Sequence, residues 1–532
     1  MSWFDRSTFL TSLFGACLLT TSLAWADSSF AVENYKMEKI ILSDDMVRLA
    51  TPVGMSKIRS GNDAEIYSMG TRYFPVMLVS TADYKALDSA FMSRMFNEVN
   101  FSENGNYGSV LDYFVESSSG KFKPVFDIYP ITLPKNFSSY ASDSALILPS
   151  IDILVERADF KARASKYERE IPFVILHPLS REKAISYNGD LFNHQYKLEY
   201  SAKRVYSKNG YRFNNYAFVS QKAENKASST STKDVNMLGT FVHEFSHVIG
   251  LQDLYSNDEN GYATIGPLPY DVMALGLRNG NGGYPPTFSS FEREAMGWLT
   301  PTEIVNKDSV YVLKNISGMQ AYAVSNPNHP EEYFLIEYRP AVGFDSKIGS
   351  SSYSGKQGKN GVFIWYIDYD AYAFAINDPN RDVNHQRAEV RAVLSKDQEY
   401  FNGFQFVNKG GKALIDGIFN VVFDGDERVC FTVNRSKTLN KCPDSGTSDF
   451  VSLTQRMSPQ IKWRVNQGLM NVEAPMAGKK TIRFYDALGN MIKSHSFTES
   501  SASIDISGWK RSVYMRLDVN GRVLLAKRVE LR

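Results

Sequence analysis

The sequence predicts a multidomain protein with an α/β unit first, a mostly β unit in the middle and a C-terminal β-sandwich. Apolar runs typical of buried strands lie at residues 73–81 and 171–177, with helically spaced segments between and after them. Beyond Pro301, short β-type runs alternate with Gly, Asn and Asp, and further short strands lead to the hairpin signal Asn520-Gly521. At roughly 150 residues per domain, 532 residues also suggest about three domains.

The N-terminus predicts an exported protein. Residues 9–23 are apolar apart from small hydroxyl residues, and Ala24-Trp25-Ala26 forms a small-x-small cleavage site. We therefore expect a signal peptide at 1–26, and the alternative is a lipid anchor at Cys17. Residues 27–64 form an N-terminal segment that is open to interpretation as a latency pro-segment.

The remaining boundaries follow changes in composition. We expect the α/β unit at 65–300, the β-rich accessory unit at 301–440, a polar, turn-rich linker at 441–455 and the C-terminal sandwich at 456–532. Four runs, residues 309–313, 333–338, 361–368 and 419–423, read as strands of the accessory unit.

The charge balance gives no basis for a general nucleic-acid binder. The chain has 59 Lys and Arg against 58 Asp and Glu, a net charge of +1. This balance includes a basic tail, because residues 456–532 hold 14 Lys and Arg but 6 Asp and Glu. After the leader, no run offers the roughly 20 apolar residues that a transmembrane helix needs.

Two cysteines remain after the leader. Cys430 and Cys442 are close in sequence, and export to an oxidising compartment favours a disulfide between them. Two buried free thiols are the alternative.

The stretch His243-Glu-Phe-Ser-His247 predicts a zinc site on a helix. His243 and His247 are four residues apart, so both imidazoles project from one side, with Glu244 beside the first. Catalytic Zn²⁺ takes three protein ligands plus a water. Gly250 can end the helix in a left-handed conformation, so that Asp253 turns back as the third ligand. Glu244 would then accept a proton from the bound water.

These residues resemble the immune-inhibitor-A-like family of secreted zinc metallopeptidases over about residues 73–370. The likeness also includes residues 109–121, 291–299, 332–339 and 361–368. It implies an α/β zincin (metzincin-like) catalytic domain, with Met273 in a turn beneath the metal. Many metzincins have a third His and a Tyr two residues after that Met, where this chain has Asp253 and Leu275. The alternative third ligand is Glu292 or Glu294.

The tail resembles the C-terminal sorting domain of the type IX secretion system of Bacteroidetes. The resemblance rests on its strand pattern, the turn at 486–489 and Val513-Tyr514, although Ser512 stands where Gly is usual. It implies contact with secretion machinery, passage through the periplasm, and release or attachment at the cell surface. An accessory sandwich that binds a surface or a glycan is the alternative.

An acidic loop suggests a second metal. It offers oxygen ligands for a structural Ca²⁺, although solvated loop carboxylates are the other interpretation. Its members are Asp368, Asp370, Asn377, Asp378, Asn380 and Asp382.

The expected function is that of an exported zinc endopeptidase acting on protein or peptide substrates, with Glu244 as general base. One alternative is a cell-surface adhesin or binding protein on a peptidase-like fold. Another is a zinc hydrolase of a non-peptide substrate.

Overall fold

The structure of the protein, a computed structural model, describes most of the chain beyond residue 67. The described residues are 68–180, 184, 191–222, 237–256, 266–329, 331–350, 359–395, 404–443, 462–466, 468–474, 478–485, 491–509, 512–519 and 522–530. The predicted signal peptide (1–26), Cys17 and the N-terminal segment 27–64 lie outside these residues, as does most of the predicted linker.

The N-terminal unit (residues 68–300) is built on one six-stranded sheet in the order β2-β1-β3-β6-β4, with β5 paired to β6. The strands β1, β2, β3 and β6 are parallel, whereas β4 and β5 run antiparallel to β6. Their bounds are β1 Gly70–Ser80, β2 Phe122–Thr132, β3 Glu170–His177, β4 His194–Lys197, β5 Tyr206–Lys208 and β6 Tyr211–Ser220.

The described residues of this unit also form seven short helices. They are α1 Ser89–Asn97, α2 Val110–Ser118, α3 Asp143–Leu154, α4 Ala158–Arg163, α5 Leu198–Ser201, α6 Leu238–Val248 and α7 Ser290–Ala295. Helices α2 and α7 begin with capping boxes, in which Ser109 and Ser289 exchange hydrogen bonds with Asp112 and Glu292.

The middle unit (residues 301–443) contains two sheets, β12-β11-β10-β9-β7 and β13-β14-β15-β8, and the short helix α8 Ala371–Ala375. The strands are β7 Thr302–Glu303, β8 Val310–Lys314, β9 Tyr322–Ser325, β10 Glu332–Arg339, β11 Gly361–Asp368, β12 Ala388–Leu394, β13 Phe404–Val407, β14 Ala413–Asp424 and β15 Arg428–Thr432. A disulfide joins Cys430 on β15 to Cys442.

The first two units share a hydrophobic core. One cluster of buried residues runs from Phe74 through α6 to Leu335, Trp365 and Ala388 of the middle unit. In the same region, the buried Glu337 on β10 accepts hydrogen bonds from the Ser290 backbone N–H and from Trp365 Nε1. The middle unit is therefore packed onto the N-terminal unit and does not stand apart from it.

The C-terminal unit (residues 462–530) consists of the sheets β16-β17-β20 and β19-β18-β21-β22. Its buried residues, among them Met470, Phe484 and Leu517, form a cluster of their own. Its strands are β16 Lys462–Asn466, β17 Leu469–Glu473, β18 Lys480–Tyr485, β19 Met491–Phe497, β20 Ser501–Asp505, β21 Ser512–Val519 and β22 Arg522–Glu530. In the part of the chain that the structure describes, no helix is long and apolar enough to span a membrane.

The predicted fold class is wrong. The molecule is mostly β: strand outweighs helix, and the strands form several sheets, so an α/β zincin (metzincin-like) description does not hold. The prediction gave too much weight to apolar residues at helical spacing, because the helices in the described part of the chain have at most 12 residues. Strands of comparable length, such as β1, β2 and β14, occur in both the first and the middle unit.

Candidate metal centre

Helix α6 carries the His243-Glu244-His247 motif and is fixed by aromatic packing on its other side. Phe241 and Phe245 stack at 5.7 Å, and Phe245 meets Phe74 of β1 edge to face at 4.8 Å. At the helix end, the Asn215 side chain of β6 donates to the Val248 carbonyl at 3.0 Å. These contacts hold the apolar face against the sheet, so the imidazoles point to the opposite side.

The chain reverses directly after α6. Gly250 has φ of 108°, in the region that favours glycine, and its N–H donates to the His247 carbonyl at 3.0 Å. The Leu251 N–H donates to the Ser246 carbonyl at 3.0 Å. This turn brings Asp253 back beside the helix.

Three side-chain atoms converge there. Asp253 Oδ1 lies 3.2 Å from His243 Nε2 and 3.2 Å from His247 Nε2. The side chains of His243 and Asp253 are fully buried, and that of His247 is 6% exposed. His243, His247 and the buried Glu244 also offer ligand atoms that all lie within 4.8 Å of one another.

Backbone carbonyls fix the orientation of both rings. His243 Nδ1 lies 2.9 Å from the Val272 oxygen, and His247 Nδ1 lies 2.7 Å from the Leu251 oxygen. A carbonyl only accepts, so each Nδ1 carries the hydrogen, and in the neutral ring each Nε2 presents a lone pair to the centre. Metal-binding histidines are usually held by this arrangement.

The charges favour a cation at the centre. Burial alone would lower the pKa of His243, but the hydrogen bond with Asp253 and the charges of Glu244 and Asp253 raise it to about 9. Burial alone would raise the pKa of Asp253, but the two histidines hold it well below its usual range. Two neutral imidazole lone pairs facing a carboxylate would repel it, so a proton or a metal ion is needed between them.

The turn at residues 271–274 supports the site from a second segment. The Met273 N–H donates to Asp271 Oδ1 at 2.7 Å, and the Met273 carbonyl accepts from the Leu254 N–H at 2.7 Å. Met273 is fully buried. Because Val272 holds His243 and Met273 holds Leu254, this turn links one histidine to the segment that bears Asp253.

The alternative third ligands have other partners. Glu292 Oε2 accepts from the Ser289 N–H at 2.7 Å and interacts with the buried Asp271. Glu294 Oε2 accepts from the Tyr333 hydroxyl at 2.9 Å. Asp253 is thus the carboxylate that the described residues bring against both imidazoles.

Sequence reasoning missed the role of Asn377, which was grouped with the acidic loop. Its Oδ1 accepts from the Asp253 N–H at 2.8 Å, and its Nδ2 donates to Asp253 Oδ2 at 2.5 Å. It also missed Tyr255, which is buried with its ring 6.3 Å from that of His243. No local pattern marks a pairing between residues 124 positions apart.

The acidic loop does not gather a metal site. Asp368 pairs with His385 and Arg387, while Asp370 caps α8 through the N–H groups of residues 372 and 373. Among the described residues, the group of His, Cys, Asp or Glu that could hold a metal ion, His243, Glu244 and His247, includes no member of this loop. The Ca²⁺ prediction therefore gains no support.

Comparisons with known proteins identify no family. No family model matches the chain, and no curated protein is significantly similar to it. A solved structure with some similarity is a DUF3244 family protein with an immunoglobulin-like β-sandwich fold from Bacteroides vulgatus ATCC 8482. The two are 15% identical over 14% of this chain and 84% of that chain, with a TM-score of 0.13.

Proposed function

We propose that this protein is an exported zinc-dependent endopeptidase. The observation that carries the proposal is the convergence of His243 Nε2, His247 Nε2 and Asp253 Oδ1, with the carboxyl group of Glu244 next to them. Two imidazoles and one carboxylate are a ligand set that Zn²⁺ accepts in catalytic sites, where a fourth position is left for water.

The tautomer of the two histidines and the number of donor atoms both suit a metal ion. Each Nδ1–H is used by a backbone carbonyl, so the two Nε2 lone pairs are available without a change of tautomer. The carbonyls also hold the ring planes, which reduces the ordering that metal binding requires. The buried carboxylates of Glu244 and Asp253 supply negative charge to balance a divalent cation.

In this proposal Glu244 is the general base and Asp253 is a ligand. Bound zinc would polarise the scissile carbonyl and lower the pKa of a water molecule. Glu244 would accept a proton from the attacking water and pass it to the leaving amine. His243 and His247 would bind the metal as neutral ligands, and Glu244 lies on the same helix, α6.

The resemblance to immune-inhibitor-A-like peptidases belongs to the same proposal. It rests on the His-Glu-x-x-His-x-x-Gly-x-x-Asp pattern from His243 to Asp253 and on the accessory blocks. The C-terminal unit, by its resemblance to type IX sorting domains, is proposed to direct the enzyme through the periplasm to the surface or the medium. Its partner would then be the secretion machinery.

A casein zymogram of residues 27–532 tests the activity. We expect clearing by the wild-type protein that 1,10-phenanthroline abolishes and added Zn²⁺ restores. Glu244→Gln should retain bound zinc but lose activity by about 10²–10⁴-fold or more, because it removes the proton acceptor and no ligand. The matched control is Glu294→Gln, whose carboxyl group is engaged by Tyr333.

Each alternative has its own outcome. A zinc-loaded wild type that cleaves no protein but hydrolyses small esters or amides would indicate a non-peptide hydrolase. A protein that binds no zinc and has no hydrolytic activity would favour the surface-binding function. Undiminished cleavage by zinc-loaded Glu244→Gln would remove Glu244 from the mechanism.

A further inference from the structure

Asn377 forms hydrogen bonds to Asp253 through both the oxygen and the nitrogen of its side-chain amide. The Oδ1 atom accepts the Asp253 backbone N–H at 2.8 Å, and Nδ2 donates to Asp253 Oδ2 at 2.5 Å. The other carboxylate oxygen, Oδ1, faces His243 and His247. One asparagine therefore binds the main chain and the side chain of the same residue.

The asparagine is held in place by the middle unit. It follows α8 with φ of 58°, a left-handed conformation that Asn adopts more readily than most residues. Its N–H donates to the Phe374 carbonyl at 3.1 Å, and Phe374 is buried in the core shared by the first two units. Packing of the neighbouring Phe374 therefore fixes the position of Asn377 and of its hydrogen bonds to Asp253.

Asn380 makes a second connection between the same two segments. Its Nδ2 donates to the carbonyl of Leu254 at 2.8 Å and to that of Ala388 at 2.7 Å. Its Oδ1 accepts from the N–H groups of Arg387 and Ala388 at 2.7 and 3.0 Å. The connection between β11 and β12 thus holds the chain at residues 253 and 254.

We propose that Asn377 is a positioning residue of the metal centre: it holds Asp253 so that Oδ1 alone is presented to the metal, and through it the middle unit completes the site. The inference rests on the proposed function, in which Asp253 is the third ligand. Because Nδ2 donates to Oδ2, the carboxylate is turned before metal arrives, and ligand ordering costs less on binding.

Two substitutions separate the effect of the amide from that of the backbone. Asn377→Asp keeps an acceptor for the Asp253 N–H and tolerates the left-handed conformation, but it replaces the Nδ2 donor with a carboxylate oxygen. Asn377→Gly keeps the backbone conformation and removes both side-chain hydrogen bonds to Asp253. We expect zinc affinity to fall by about 10–100-fold in both variants, the range typical for partners of metal ligands.

The matched control is Asn209→Asp. Asn209 also has a left-handed backbone, with φ of 51°, and its Nδ2 donates to the carboxylate of Glu156 at 2.6 Å. That pair is exposed and belongs to the β5 and β6 region. The same change of amide to acid should leave zinc affinity unchanged there.

Zinc affinity would be measured on the full chain by competition with a chromophoric chelator. The visible spectrum of the Co²⁺-substituted protein reports ligand geometry independently of activity. We expect weaker binding and an altered Co²⁺ spectrum in Asn377→Asp and Asn377→Gly, with circular dichroism like that of the wild type. Wild-type affinity and spectrum in either folded variant would overturn the inference.

The outcomes also distinguish this inference from the proposed function. Failure of the wild type to bind zinc contradicts both. A zinc-binding wild type whose affinity falls in Asp253→Ala but not in Asn377→Gly keeps the peptidase proposal and rejects the positioning role. If Asn377→Asp does not fold, Asn377→Gly decides the question, because glycine introduces no charge.

Discussion

At the residue scale, the arrangement around Asp253 explains why a cation is needed. Each histidine uses Nδ1–H for a carbonyl, and both Nε2 atoms approach one carboxylate oxygen in a buried space. A proton meets this need in the metal-free protein, where the pKa of His243 is raised to about 9. Metal binding should therefore displace a proton from the site.

The third ligand can be tested by metal content. Asp253→Ala should reduce bound zinc to a small fraction of one equivalent, because it removes one of three donors and leaves two neutral imidazoles. Glu292→Gln and Glu294→Gln should keep close to one equivalent, since their carboxyl groups bind Ser289 and Tyr333. Metal analysis of the purified proteins measures the difference, and the opposite ranking would move the third ligand to α7.

Asp271 and Glu292 form a buried acid pair with a predictable pH dependence. Burial raises the pKa of Asp271 to about 6, and burial together with the Asp271 charge raises that of Glu292 well above its usual value. Folded-state values above the unfolded ones mean stability that is complete below about pH 4 and is lost as pH rises through and beyond 6.

Glu292→Gln should therefore reduce the loss of folding stability that accompanies rising pH. With the metal removed by a chelator, the variant should become more stable relative to the wild type as the pH rises above about 4, by up to about 1.4 kcal/mol for each pH unit of pKa shift that is removed. Glutamine can still cap α7, so the helix start should be preserved. Urea unfolding across pH is the measurement, and parallel curves for the two proteins would show that the pair does not titrate in this range.

The sequence predicted the residues that are near one another along the chain. A spacing of four places His243 and His247 on one side of a helix whatever surrounds it, and Gly250 allows the turn to Asp253. Asn377 could not be found in this way, because its contact with Asp253 depends on how the middle unit packs. Long-range polar contacts leave no periodicity in the sequence.

At the element scale, α6 depends on close packing against the segment after the Met273 turn. The nearest approach is at Gly239, where a Cβ atom would lie 1.9 Å from the Leu277 carbonyl oxygen. The contact is with backbone, which cannot rotate away as a side chain can. The close approach of α6 to this segment therefore requires glycine at position 239.

Gly239→Ala should destabilise the protein by about 1–3 kcal/mol or more, despite the better helix propensity of alanine. It should also lower zinc content, since the displaced segment leads from the turn that holds His243. Gly410→Ala is the control, because its Cβ would meet nothing closer than Asn408 Oδ1 at 3.5 Å. Equal urea midpoints for the two variants would contradict the packing argument.

The same scale explains the wrong fold class. The runs at 73–81 and 171–177 were predicted as strands and correspond to β1 and β3, because continuous apolar segments of this length suit a sheet covered on both faces. The balance of helix and strand could not be predicted, since apolar spacing does not limit helix length. In the described residues the helices are short and the strands pair into several sheets.

At the scale of the whole molecule, the cores divide the chain differently from its composition. The predicted boundary near residue 300 separates two segments of different composition. Leu335, Trp365 and Ala388 nevertheless pack in one cluster with α6. The basic C-terminal unit has its own cluster, from Met470 to Leu517. The candidate metal centre thus draws on the first two units and on no described residue of the third.

Deletion of residues 456–532 should therefore leave a folded, zinc-loaded and active protein. The cluster that contains α6 and the contacts of Asp253 with Asn377 both lie upstream of the cut. If the C-terminal unit is a sorting domain, the truncated protein should accumulate in the periplasm, whereas the full chain reaches the surface or the medium. Cell fractionation with an antibody to the N-terminal unit measures location, and casein cleavage by the purified truncated protein measures activity.

Normal release of the truncated protein would reject sorting in favour of a surface-binding role. A periplasmic but inactive product would show that the C-terminal unit supports the fold of the first two units.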